Sequence, residues 1–219
     1  CTGQPFTLTV PVNPKPLLVA TSAGSICNHT AAVFNPSSLT AGVSYTWKRA
    51  VQPQISNAAA SGENGFSEVL HNTGTFPVLV DYEYTLTANG CSNTQIVQVL
   101  VNPDPVLSSP TSLSVCSGAL LNYSPSSLTN GTFYAWSRQV VAGIKNTANS
   151  GTGDIFEALV NTTNLPVVVS YRFTLTANGC SHSEDILVTV NPIPVVAESA
   201  EQLVCNGSQV QVNFSGSSI

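Results

Sequence analysis

Charge is scarce in this 219-residue chain: only 8% of residues are Asp, Glu, Lys or Arg, against roughly 25% in ordinary soluble domains. The six bases, Lys15, Lys48, Lys145, Arg49, Arg138 and Arg172, are scattered, and the net charge is −5. They cannot form a phosphate-tracking stripe, so nucleic acid is excluded as a partner. No apolar run approaches the ~18 residues that a membrane helix needs, so no membrane span is expected in this stretch. No two cysteines stand at C-x-x-C spacing, which removes zinc-ribbon and dithiol redox chemistry. Only three histidines occur, His29, His71 and His182; none recurs under the repeat and none sits near a second His or Cys at ligand spacing. They read as solvated loop residues, and no metal is expected. No G-x-S-x-G elbow is present, and the glycine-rich stretches near Gly62 and Gly151 lack a following lysine. The chain therefore offers no catalytic residues and no cofactor site, and reads as a non-enzyme. No signal peptide is visible, and Cys1 is not a natural start, so an N-terminal part is expected to precede it.

What is present is a repeat. Apolar residues make up 42%, enough for a real core, and the length suits two small modules with flanking pieces. A shift of 89 residues aligns the chain on itself without a gap, with 39 identities between residues 27–115 and 116–204. Chance would give roughly a tenth of positions, so the repeat is certain. Cys27 falls on Cys116, Cys116 on Cys205, Cys91 on Cys180 and Trp47 on Trp136. LTANGCS recurs at residues 86–92 and 175–181, and VNPxPV at 101–106 and 190–195.

Within each copy, short runs alternate apolar and polar residues. Val80, Tyr82, Tyr84, Leu86 and Ala88 point one way, while Asp81, Glu83, Thr85 and Thr87 point the other. That period of two marks a half-buried strand. Asn89–Gly90 and Asn178–Gly179 are strong hairpin turns. Residues 52–64 are rich in Ala, Ser, Asn and Gly and read as a loop or irregular edge. About seven short strands per copy, with no helical period, predict an all-β fold of tandem immunoglobulin-like β-sandwich modules. The expected domains are 1–16, the last strand of a preceding module; 17–105 and 106–194, two full modules; and 195–219, the first strands of a following one. Trp47 and Trp136 fit the third strand and Tyr82 and Tyr171 the sixth, all four as core residues. Prolines in the VNPxPV segments make the linkers short and stiff, so modules are expected to stack head to tail.

The pattern CSG…YxW…LxN…VxYxxTxTANGC…VTVNPxP covers almost the whole chain. It resembles the PKD-like, immunoglobulin-like repeats of large secreted surface proteins of Bacteroidota. The resemblance implies an outer-surface protein of the adhesion or gliding kind.

Six cysteines in so charge-poor a chain point to an oxidising compartment. Three pairings respect the repeat. One joins cysteines within a module, Cys27 to Cys91 and Cys116 to Cys180. One joins chain neighbours, Cys1 to Cys27, Cys91 to Cys116 and Cys180 to Cys205. One joins the first cysteine of a module to the second of the next, Cys27 to Cys180. In an immunoglobulin-like layout the two cysteines of a module lie at opposite ends, ~33 Å apart along a ten-residue strand. Disulfide Cα atoms lie ~5.5 Å apart. The inter-module pairing is slightly preferred, and the other two stay open.

The remaining polar residues offer little. Glu68 and Glu157 recur, each alone, and Glu184–Asp185 is the only acidic pair, too few oxygens for a junction calcium site. The expected role is an extracellular, cell-surface adhesin stalk or filament. Its partners would be neighbouring modules of the same array, or copies in a homopolymer fibre. The alternatives are modules that bind surface glycans or proteins, or accessory repeats of a secreted hydrolase.

Overall fold

The computed structural model describes residues 3–195, 201, 203–212 and 216. It divides into two compact units, Cys1–Asp104 and Pro105–Ile219. All regular structure among the described residues is strand. The first unit holds β1 (Ser22–Cys27), β2 (Ala31–Phe34), β3 (Ser44–Arg49), β4 (Ala60–Glu63), β5 (Phe66–Val69), β6 (Val78–Ala88) and β7 (Cys91–Asn102). The second repeats them as β8 (Ser112–Cys116), β9 (Leu120–Tyr123), β10 (Phe133–Arg138), β11 (Asn149–Thr152), β12 (Ile155–Ala158), β13 (Val167–Ala177) and β14 (Cys180–Asn191).

Each unit is a two-layer sandwich. One layer is a five-stranded sheet of order β1-β7-β6-β3-β4 in the first unit, matched by β8-β14-β13-β10-β11 in the second. The other layer is the pair β2-β5, matched by β9-β12. All neighbours are antiparallel except β1 with β7 and β8 with β14, which run parallel.

The long hairpin β6–β7 is the spine of the first unit. Its turn needs two residues in the left-handed region, which Asn89 (φ 48°) and Gly90 (φ 76°) supply. Inward-facing Val80, Tyr82, Tyr84 and Leu86 on β6 and Val97, Val99 and Val101 on β7 are fully buried, while Asp81 and Thr87 face out. Tyr171, Phe173, Leu175, Ile186, Val188 and Val190 do the same in the second unit. Trp136 is buried and Trp47 packs, partly buried, against the core.

The segment 52–64, read as a loop or irregular edge, is both: Ala60–Glu63 is the edge strand β4, paired to β3 with Gly62 opposite Trp47, and the rest carries no strand. The indole lies so close over Gly62 that a Cβ there would stand 2.8 Å from it. The composition that suggested a loop is what lets this edge strand pass beneath a tryptophan. Residues 3–16, within the segment read as the last strand of a preceding module, carry no strand pairing among the described residues. Cys1 and part of the 195–219 segment lie outside the described residues.

Candidate functional site

Chemistry-bearing residues gather at three places: between the two sheets, at the ends of each unit, and on the outer face of the five-stranded sheet.

The first is a buried ion pair that recurs in both units. Arg49 ends β3 on the core-facing side and is 1% exposed. Its Nε donates to Glu68 Oε2 at 2.9 Å and its Nη2 to Glu68 Oε1 at 2.5 Å. The remaining guanidinium donors reach the carbonyls of Ala50 and Ala58. Tyr82 Oη donates to Glu68 Oε2 at 2.7 Å. Because β3 and β6 belong to one sheet and β5 to the other, the triad clamps the two layers together. Arg138, Glu157 and Tyr171 rebuild it, with a 2.5 Å Tyr171–Glu157 bond and the same bidentate fork.

Burial favours the neutral form of Glu68, but the hydrogen bonds from Arg49 and Tyr82 and the attraction of Arg49 outweigh it, so its pKa is lowered. Glu157 is lowered in the same way against the same burial. Burial, reinforced by the hydrogen bond to Glu68, drives Tyr82 far above the ordinary phenol range. The arginines stay charged: the hydrogen bonds donated to Glu68 raise Arg49, and although burial is the largest single influence on Arg138, its hydrogen bonds to Glu157 and the attraction of Glu157 and Tyr171 together outweigh it. Glu68 and Glu157 are therefore not the isolated acids that the sequence suggested. The missed signal is that Arg49 and Arg138 also coincide under the 89-residue shift.

The second place is the ends of the units, where the cysteines lie. Cys27 closes β1 in register with Asn102, the last residue of β7, while Cys91 opens β7. Eleven residues of strand thus separate Cys27 from Cys91, about 36 Å at ~3.3 Å per residue. Cys116, in register with Asn191, and Cys180, first in β14, stand equally far apart. No disulfide can span that distance. Cys27 and Cys180 are both disulfide-bonded. Cys91, Cys116 and Cys205 are free thiols. Neither the within-module pairing nor the chain-neighbour pairing is formed, since Cys91 and Cys116 belong to both.

The segment leading into each unit lies against the tip of the long hairpin. In the first unit Asn13 Nδ2 donates to Asn89 O at 3.0 Å, Asn93 Nδ2 to Pro16 O at 3.0 Å, and Leu18 N to Gln95 Oε1 at 2.6 Å. The Cys91 thiol sits 3.7 Å from Asn13 O. The second unit repeats the innermost of these contacts, Leu107 N to Glu184 Oε1 at 3.0 Å. At the other end of the first unit, beside Cys27, Asp104 Oδ2 takes Asn28 Nδ2 at 3.1 Å and lies 3.2 Å from His29 Nδ1. The His29 and His71 rings meet edge to face with centroids 4.8 Å apart. The histidines are thus not all isolated, although no group of three or more ligating side chains is placed to hold a metal among the described residues.

The third place is a groove on the outer face of the first unit, about 680 Å³, lined by Lys48, Asp81, Glu83 and Ile96 beside β4. The same four positions line a smaller groove of about 290 Å³ in the second unit as Ser137, Ser170, Arg172 and Asp185.

No helix among the described residues is long and apolar enough to cross a membrane, which says nothing of a β-barrel. A PKD-like domain family matches residues 24–105 and again 113–194. No curated protein matches the chain in sequence. Among solved structures, the chain is similar to a two-immunoglobulin-domain fragment of DIP-gamma at 10% identity, covering 81% of this chain and 98% of that one, TM-score 0.39. An I-band fragment of titin is 12% identical over 82% of this chain and 66% of its own, TM-score 0.42. An endo-fucoidan hydrolase of glycoside hydrolase family 107 is 11% identical over 85% of this chain and 30% of its own, TM-score 0.34. Tandem domains of this type are commonly extracellular structural or adhesion modules, typically non-catalytic, and the disulfide agrees with an extracellular setting.

Proposed function

The chain belongs to the PKD-like domain family, and on that premise we propose that it is a tension-bearing, non-catalytic stalk segment of a cell-surface adhesin of the Bacteroidota type. One observation carries the reading: in each unit the strand that enters and the strand that leaves are parallel hydrogen-bonded neighbours. Pulling β1 by its start and β7 by its end slides the two strands along each other. The ladder hydrogen bonds then share the load instead of parting one at a time.

The Cys27–Cys180 disulfide belongs to the same reading. Asn13, which touches Cys91, is the repeat counterpart of Asn102, which is in register with Cys27. Carried forward one repeat, that contact brings Cys27 to Cys180, and both are disulfide-bonded. Such a bond diverts tension around the 153 residues from 27 to 180. It staples neighbouring modules covalently.

Single-molecule stretching of the chain by its two ends tests both parts. Under reducing conditions two unfolding events are expected. With the bond intact the final extension should fall short by about 530 Å, at ~3.5 Å per residue. Equal final extension with and without reductant would remove the staple. Unfolding forces no higher for end-pulling than for peeling β1 sideways from β7 would remove the stalk.

A second reading, a recognition module for glycans or proteins, is favoured by the grooves, whose four shared positions carry different charges in the two units. Specific micromolar binding on a glycan array would support it.

A further inference from the structure

We infer that Cys116 and Cys91 are the two halves of a further intermodular disulfide, each formed with another module of this same repeat. The inference rests on the Cys27–Cys180 pairing proposed above. Cys116 is the repeat copy of Cys27 and Cys91 the copy of Cys180; both counterparts are disulfide-bonded, while Cys91 and Cys116 are free. One rule accounts for this division: the first cysteine of a module joins the second cysteine of the next. Cys27 and Cys180 then satisfy each other. The rule assigns Cys91, Cys116 and Cys205 to cysteines of other modules of the repeat.

The geometry around Cys91 identifies what it receives. Its sulfur lies 3.7 Å from Asn13 O, and Asn13 is tied to the hairpin through Asn89. Asn13 is the copy of Asn102 and Asn191, the residues beside which Cys27 and Cys116 end their strands. The segment against Cys91 is therefore the kind of segment that carries a first-type cysteine on its neighbouring strand. The partner is a module of this repeat presenting an exposed thiol beside an NPxP segment, as Cys116 is presented beside Asn191.

Formation of the bond removes two protons and two electrons from the thiol pair. A small disulfide oxidant such as oxidised glutathione accepts the electrons. One thiolate attacks it and releases one glutathione; the second thiolate displaces the other, leaving the protein disulfide and two reduced glutathiones. Successive links overlap along the chain, because Cys116 lies inside the span from Cys27 to Cys180. In a long array the shortest covalent path would use only the 25 residues from 180 to 205 out of every 178.

The experiment uses the full chain carrying Cys1→Ser and Cys205→Ser, reduced, concentrated and reoxidised with oxidised glutathione. Non-reducing electrophoresis should show a ladder extending beyond dimer. Peptide mapping should find Cys27–Cys180 within chains and Cys116–Cys91 between them. Adding Cys91→Ser should abolish the ladder. Prevailing Cys91–Cys91 or Cys116–Cys116 peptides, or monomer alone, would overturn the inference. Loss of the Cys27–Cys180 peptide would instead overturn the pairing on which it rests.

Discussion

Glu68→Gln isolates the contribution of the buried triad in one unit while the other serves as control. Glu68 accepts three hydrogen bonds, two from Arg49 and one from Tyr82. Glutamine keeps the shape but loses the charge, and its amide nitrogen turns a donor toward a guanidinium that is 1% exposed. Removing one member of a buried pair leaves an uncompensated charge and costs about 3–5 kcal/mol. At a urea dependence of about 2 kcal/mol per molar, the midpoint of the first unit should fall by about 2 M. The transition of the second unit, held by Arg138, Glu157 and Tyr171, should stay in place. Urea unfolding followed by near-ultraviolet circular dichroism reads both, since Trp47 and Trp136 report separately once one is replaced by Phe. The combination Arg49→Met, Glu68→Leu and Tyr82→Phe should recover most of the loss, because a well-packed apolar replacement costs little. A loss below about 1 kcal/mol in Glu68→Gln, or no recovery in the apolar triple, would refute the reasoning. The same triad sets an acid limit. The folded pKa of Glu68 and Glu157 is depressed, so their contribution is complete above the unfolded carboxylate range near ~4.3 and is lost as pH falls through the lower folded value. Glu68→Gln should flatten that limb for the first unit alone.

Gly151→Ala would place a methyl 2.7 Å from the Trp136 ring on the neighbouring strand, and overpacking of this kind costs about 1–3 kcal/mol; a lowered midpoint for the second unit in thermal unfolding is the expected result, and Trp136→Leu in the same chain should relieve part of it. Asn161→Ala should cost about 2–3 kcal/mol, because the buried Asn161 Nδ2 serves the carbonyls of Leu165 and Val190 while its Oδ1 takes Thr163 N and Oγ1; faster amide exchange confined to the 161–165 turn would locate the effect.

Much of the fold was legible because burial falls on one face at a time. Residues 78–88 alternate cleanly since one side of β6 meets the second layer and the other meets solvent. The turn at Asn89–Gly90 was legible because few residue pairs accept two left-handed conformations. Strand β4 was not, because Ala, Ser and Gly carry no strand preference of their own; pairing with β3 and the overhead indole hold it there. The triad was hidden for another reason. Arg49 and Glu68 are 19 residues apart and meet only when two sheets close. Both recur together, at 138 and 157, yet a charged residue in a half-buried strand reads as facing water. His29 and His71 were likewise separated in sequence and joined by the turn after β1.

Two neighbouring units sharing so much sequence face a hazard of misassembly, since β13 could take the place of β6 beside β3 and β7, or the reverse. The outer-face pairs work against this exchange. Correctly assembled, Lys48 sits opposite Glu83 at 3.0 Å, and Arg172 sits opposite Asp185. Exchange would set Lys48 against Arg172 and Glu83 against Asp185, two like-charge pairs in place of two opposite ones. Each costs only about 0.2–1 kcal/mol, but both penalties fall on the wrong assembly and none on the right one. In a chain with so few charges, these exposed pairs act as an address that keeps each hairpin with its own module.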